Sequence, residues 1–246
     1  MSPMSLEQPE QSDRPDLPAS SNPSSRPSGP ILFNSIIGSW LVVNTVGFAI
    51  ATALMASVFW FPSVFERPQA SVSHVSGFVV GVILGPLQAI VLRRKVPKLK
   101  GWQWMLAGIL GSYLGVGLGW IVILWMIYVV LAVLNLSFHE LAGGFVFLAI
   151  FGAAVGACVG LVQVLVLGKR VRGRRRWWVA SVIGRSLGWL SAQLVWQLWG
   201  SQPPSDVQLV EFLIYGAIGG LVYGVVTAQA LPHLNPHPRS VADHSN

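Results

Sequence analysis

Charge-free apolar stretches alternate with short polar connections along nearly all of the chain beyond residue 30. About 20 residues, at ~1.5 Å per residue, cross a hydrocarbon core of ~30 Å. Residues 31–65 hold no charged side chain and predict a first membrane helix with generous ends. Residues 72–92 predict a second, stopping at Arg93-Arg94-Lys95. The 38 residues from Gly101 to Phe138 are also uncharged, too many for one crossing and rather few for two with a turn. The flanking loops resolve this. Residues 93–100 carry five Lys or Arg and residues 169–176 carry six, and such an excess marks the cytoplasmic side. An even number of crossings therefore separates them, and two are expected, at about 102–130 and 141–167, turning outside near 135–140. A fifth helix is expected over 177–199 and a sixth over about 209–231, after the Pro203-Pro204-Ser205-Asp206 turn.

Six crossings place both termini in the cytoplasm. The outer turns, with Glu66, Arg67, Glu140 and Asp206, lack a basic excess, in agreement. Trp60, Trp125, Tyr128, Trp196 and Trp199 fall toward the outer ends, and Trp102, Trp104, Trp177 and Trp178 just past the basic loops. Those are the positions of two interfacial aromatic belts.

Small residues recur every four positions inside the spans, as Gly77-Gly81-Gly85, Gly152-Gly156-Gly160 and Gly216-Gly220-Gly224. Each ladder leads to a polar residue, Gln88, Gln163 or Thr227. In the returning helices, Trp104-x-x-Ala107-x-x-x-Gly111-x-x-Leu114-Gly115 matches Trp177-x-x-Ala180-x-x-x-Gly184-x-x-Leu187-Gly188. The first helix supplies a fainter copy, in which Gly38-Ser39-Trp40-Leu41 corresponds to the segments starting at Gly111 and Gly184. The expected fold is thus an all-α polytopic bundle of six transmembrane helices, built from three related hairpins about a pseudo-threefold axis along the membrane normal. Glycine faces of this kind let two backbones approach closely, and their ordinary use is tight helix packing.

Composition agrees, with 53% hydrophobic and 10% charged residues and a mean hydropathy of +0.61, outside the usual range of soluble domains. The net charge of +7 is concentrated, since 11 of 16 Lys and Arg lie in the two loops. Its first meaning is topological. The first 30 residues hold eight Ser and seven Pro, no aromatic residue and only two Leu, too little apolar surface to offset the entropy of ordering. Residues 1–30 are expected as a disordered cytoplasmic tail, 31–232 as the membrane domain and 233–246 as a short cytoplasmic tail. A basic n-region and a cleavage site are missing from the start, so no signal peptide is expected. The one cysteine, Cys158, sits mid-span among small residues and reads as packing.

Polar groups in hydrocarbon each need a partner. Gln88 and Gln163 lie about 7 to 9 Å inside the inner boundary and Arg185 about 12 Å, at ~1.5 Å per residue. Ser112 holds the place of Arg185 in the preceding copy, Ser181 is one turn before Arg185, and Tyr223 falls near the same depth. Arg185, Gln88, Gln163, Ser112, Ser181 and Tyr223 are therefore the candidate polar membrane site. Arg185 reads either as a ligand for an anion or headgroup, or as a snorkelling structural cation. Arg93, Arg94, Lys95, Arg174, Arg175 and Arg176 are candidates for anionic lipid headgroups, each worth ~1 kcal/mol near an anionic leaflet. Nucleic acid is not an expected partner for loops held this close to a membrane.

Several chemistries lack their residues. The spans contain no Asp for an aspartyl dyad, His139-Glu140 is an isolated pair in place of H-E-x-x-H, and no phosphate-binding or dinucleotide fingerprint opens a helix. Neither metal nor cofactor is expected. The doubled pattern G-x-x-x-G-x-x-Q-x-x-x-L, a basic run, then Trp and Ala at i+3, resembles uncharacterised multi-pass membrane proteins common in cyanobacteria. The chain departs from their pattern with Ala89 and Val164 after the glutamines and Gly168 before the second basic run. The resemblance spans about residues 72–232 and implies a bacterial plasma or thylakoid membrane without implying a reaction. The expected role is a non-enzymatic scaffold, assembly or lipid-interacting bundle, with membrane lipids and a membrane-protein partner. The alternative is a small-solute or anion transporter or channel with an inner-third site around Arg185.

Overall fold

The computed structural model describes residues 30–59, 69–133, 145–169, 171–199 and 208–235. The expected N-terminal tail and outer turns, with Trp60, Glu66, Arg67, Glu140 and Asp206, lie outside the described residues. The described chain is all-helical: α1 (Pro30–Phe59), α2 (Gln69–Arg93), α3 (Gly101–Val133), α4 (Phe145–Leu167), α5 (Arg174–Trp199) and α6 (Gln208–Ala228), followed by a 3-10 turn at Leu231–His233. Helices follow from the solvent the sequence anticipates, because in lipid every backbone polar group is satisfied within the segment.

Among the described residues, four stretches are long and apolar enough to cross a membrane: Ser35–Met55, Gly101–Val129, Phe145–Leu167 and Leu209–His233. In α2 the residues Gly77–Arg93 are apolar as well, and α5 is diluted by Arg174, Arg175, Arg176, Arg185, Gln193 and Gln197. Beside an apolar core, the helices bury polar side chains and expose large apolar ones. Asn44, Gln88, Ser112, Gln163, Ser181, Arg185 and Thr227 are buried, while Leu165 is 70% and Leu198 78% exposed.

Each helix packs chiefly on its sequence neighbours, and α6 on α1 closes the ring. The glycine ladders make three of these contacts: that of α2 meets α3, that of α4 meets α5 and that of α6 meets α1. The approach is close enough that a Cβ placed on Gly81 would lie 2.6 Å from the Ile109 Cα, and one on Gly85 2.6 Å from the Met105 Cα. A second set of glycines joins the pairs, with Gly111 and Gly115 of α3 against Val159 and Val155 of α4, and Gly184 and Gly188 of α5 against α6.

Both basic loops and the described segment after α6 meet at one end of the ring. Gly168 (φ 65°) closes α4, and Gly173 (φ 82°) precedes α5, where its carbonyl accepts the Trp177 N–H at 3.0 Å. Residues 231–235 fold back across this end instead of starting a free tail at 233. Leu231 and Leu234 are fully buried, and the Arg172 N–H donates to the Asn235 carbonyl at 2.8 Å. The side chain of Leu234 supplies the reason, since burying an aliphatic residue is worth ~1.5 to 3 kcal/mol.

Gly81→Val is expected to destabilise the protein by about 1 to 3 kcal/mol through overpacking, read as a lower unfolding midpoint in a denaturing-detergent titration. Leu165→Ala, on the exposed face of α4, should leave that midpoint unchanged; equal shifts in the two would contradict the close α2–α3 approach.

Candidate functional site

Three tryptophans occupy the centre of the basic end. Trp40, Trp104 and Trp177 are fully buried, with ring centroids 5.5 Å apart at 70° for Trp40 and Trp177 and 5.7 Å apart at 60° for Trp104 and Trp177. Tilted and edge-on arrangements suit the aromatic quadrupole. Each indole N–H donates to the polar residue that follows a glycine ladder. Trp104 bonds the Gln88 Oε1 at 3.3 Å, Trp177 the Gln163 Oε1 at 3.0 Å and Trp40 the Thr227 Oγ1 at 2.9 Å.

The bonds continue from helix to helix. Gln88 Nε2 donates to the Asn44 Oδ1 at 2.8 Å, and Asn44 Nδ2 to the Trp40 carbonyl at 2.7 Å. Thr227 Oγ1 donates to the Tyr223 carbonyl at 2.8 Å. One hydrogen-bonded path thus runs from α3 through α2 and α1 to α6. Leu92, Leu99, Val171, Leu231 and Leu234 cluster with the tryptophans and cover the basic end.

This geometry revises one expectation. Trp104 and Trp177 are buried in the interior and are not belt residues, whereas Trp102 is 58% and Trp178 37% exposed. A helix turns about 100° per residue, so Trp102 and Trp104 point to nearly opposite sides. In α1 the tryptophan buried with Trp104 and Trp177 is Trp40. Gly47 follows Trp40 by seven residues, as Gly111 follows Trp104 and Gly184 follows Trp177. A Cβ on Gly38 would meet nothing within 4 Å whereas one on Gly47 would meet Leu84. Asn44 is not among the residues singled out from the sequence, and Trp40 is named there only within the faint first-helix copy. Their signal is a polar residue one turn after a tryptophan in a charge-free span.

Arg185 lies apart from this network. It is 6% exposed, with its guanidinium carbon 4.6 Å from the Phe48 ring centroid and 4.8 Å from that of Tyr223. Its Nε is buried without a hydrogen-bond partner among the described residues, and the Tyr223 hydroxyl, also buried, has none other than the guanidinium. Both line a cavity of about 150 Å³ bounded by α1, α2, α5 and α6, with Phe48, Met55, Val80, Trp189 and Ala192 among its apolar walls. Of the six candidate residues, the cavity holds only Arg185 and Tyr223. Gln88 and Gln163 serve the tryptophans, and Ser181 Oγ donates to the Trp177 carbonyl at 2.9 Å. Ser112 is buried on α3 with its hydroxyl unpartnered, against Gly77.

The headgroup candidates form a collar. Arg93 Nε donates to the Leu99 carbonyl at 3.1 Å and Arg94 reaches Ser39 Oγ at 3.4 Å. Lys95 Nζ donates to the Pro232 carbonyl at 3.4 Å, and partial burial holds its ammonium below the usual lysine range. Arg176 Nη1 lies 2.7 Å from the His233 Nδ1 and 2.8 Å from its Nε2. Arg174 and Arg175 border open grooves on the two sides of the start of α5.

No protein family, curated protein or solved structure matches this chain. Its chemistry is therefore read from its own residues.

Trp177→Phe keeps the ring and strands the buried Gln163 oxygen, at a cost of ~1 to 3 kcal/mol. Adding Gln163→Leu, which removes the stranded group, should restore much of the loss in the same detergent titration. Additive effects of the two substitutions would argue against the bond.

Proposed function

We propose that this chain is a six-span integral membrane protein of three related hairpins, α2 with α3, α4 with α5 and α6 with α1, acting without chemistry of its own as a scaffold that binds anionic lipid. The repeat reading draws support from the three tryptophan bonds, each joining the two helices of one hairpin at its basic end. Both termini are assigned to the cytoplasmic side, because the basic loops gather at the end where α1 begins and α6 finishes, and positive charge favours that face. The resemblance noted in the sequence points to a bacterial plasma or thylakoid membrane.

The observation that carries lipid binding is a groove of about 830 Å³ between the start of α5 and the end of α6. Arg172, Arg175, Arg176 and His233 line its polar part, and Val179, Ile183 and Val226 its apolar part. A second groove, of about 560 Å³, shares Arg172 and Arg175, adds Lys169 and Arg174, and is walled by Leu161, Val164 and Trp178. Cations adjoining an aliphatic wall suit a phosphate headgroup and the first part of an acyl chain. The rival transporter reading asks Gln88, Gln163, Ser112 and Arg185 to share one chamber, and the glutamines and Ser112 are absent from the lining around Arg185.

Full-length protein reconstituted with mixed phosphatidylglycerol and phosphatidylcholine should retain the anionic lipid preferentially when bound lipids are counted by native mass spectrometry. Replacing Arg172, Arg175 and Arg176 by Gln removes ~1 kcal/mol per charge, or roughly a hundredfold in preference. Indiscriminate retention of both lipids by the parent protein would sink the proposal.

A further inference from the structure

An arginine inside a membrane bundle is costly unless its charge is balanced. Among the described residues, Arg185 has two aromatic faces and neither an ion pair nor a hydrogen bond to its Nε. Aromatic faces attract a guanidinium but leave its N–H donors unused and its net charge in place. The Tyr223 hydroxyl, buried beside it, has no partner other than the guanidinium. Both border the same cavity, so the Nε–H and the phenol O–H, two unused donors, and a positive charge without an acidic partner meet at a space that holds no acidic side chain of its own.

We propose that this cavity is a binding site for a compact monocarboxylate with an apolar body. Charge requires an anion, and the planar fork of a guanidinium matches the two oxygens of a carboxylate. Tyr223 can donate to the same head. The remaining walls are mostly apolar, with Phe48, Met55, Val80, Trp189 and Ala192 beside the two hydroxyls of Thr52 and Tyr215, so they replace little of the water around a small hydrated ion. They suit a hydrocarbon group. Size sets the class, since an apolar cavity of about 150 Å³ accommodates a molecule as large as benzene. This site is separate from the lipid grooves of the basic end and shares no residue with them.

Benzoate is the probe, with benzyl alcohol as its neutral counterpart and chloride as a competitor, titrated calorimetrically into full-length protein in detergent micelles. The parent should bind benzoate saturably and at least tenfold more tightly than benzyl alcohol, with chloride a poor competitor. Arg185→Met should abolish the preference for the charged ligand, and Tyr223→Phe should weaken benzoate severalfold while keeping the ring that Arg185 faces. Should Arg185→Met fail to fold, Arg185→Lys keeps the charge and loses the fork, and a drop in benzoate affinity is again expected. Absence of saturable benzoate binding to the parent overturns the assignment. So does affinity indifferent to the folded Arg185 and Tyr223 variants, or chloride competing on equal terms with benzoate.

Discussion

Hydrocarbon offers a buried polar group no hydrogen-bond partner, so every such group in a membrane bundle finds one within the protein or remains a cost. Three indoles answer that constraint at the basic end. Trp40, Trp104 and Trp177 supply one N–H each and a large apolar ring, satisfying Thr227, Gln88 and Gln163 while filling the space between helices. The glycine ladders are the steric counterpart of the same arrangement. Only backbones that approach this closely leave an interior small enough for three tryptophans to fill.

Much of this was legible in the sequence. Helix positions followed from charge-free length, and the expected ends at Leu92 and Leu167 fall within a residue of those of α2 and α4. The polar residues after the ladders could be singled out because a glutamine in an apolar helix stands alone. Their partners could not, since Trp104 and Trp177 sit beside basic loops where tryptophan has a good interfacial role as well. Only the rotational phase of the helix separates the two fates. Gly38 and Gly47 are equally plausible packing residues in one dimension, and distinguishing them needs the neighbour, Leu84. Leu234 falls within residues 233–246, expected as a tail, and its burial depends on the apolar cluster that it joins.

Arg185 and the collar show the same charge used under opposite conditions. Cations of the collar are mostly exposed, and their field is shared with water and screened over about 8 Å at physiological ionic strength. Arg185 is enclosed by Phe48 and Tyr223, where a charge is felt much more strongly. Substituting a collar residue removes one member of a crowd, whereas substituting Arg185 changes the electrostatics of an entire cavity.

Closure of the ring also has a place in time. The bond between Trp40 and Thr227 joins residues 187 positions apart, and α1 packs on α6 as well as on α2. At about 5 to 20 residues per second, roughly 10 to 40 s of synthesis separate the two partners. Until Thr227 is made the Trp40 indole N–H lacks its acceptor, and α2 to α5 can pack on one another before the principal neighbour of α1 exists. The last helix made is thus the one that completes the first, and a chain arrested before Thr227 keeps an open seam along α1.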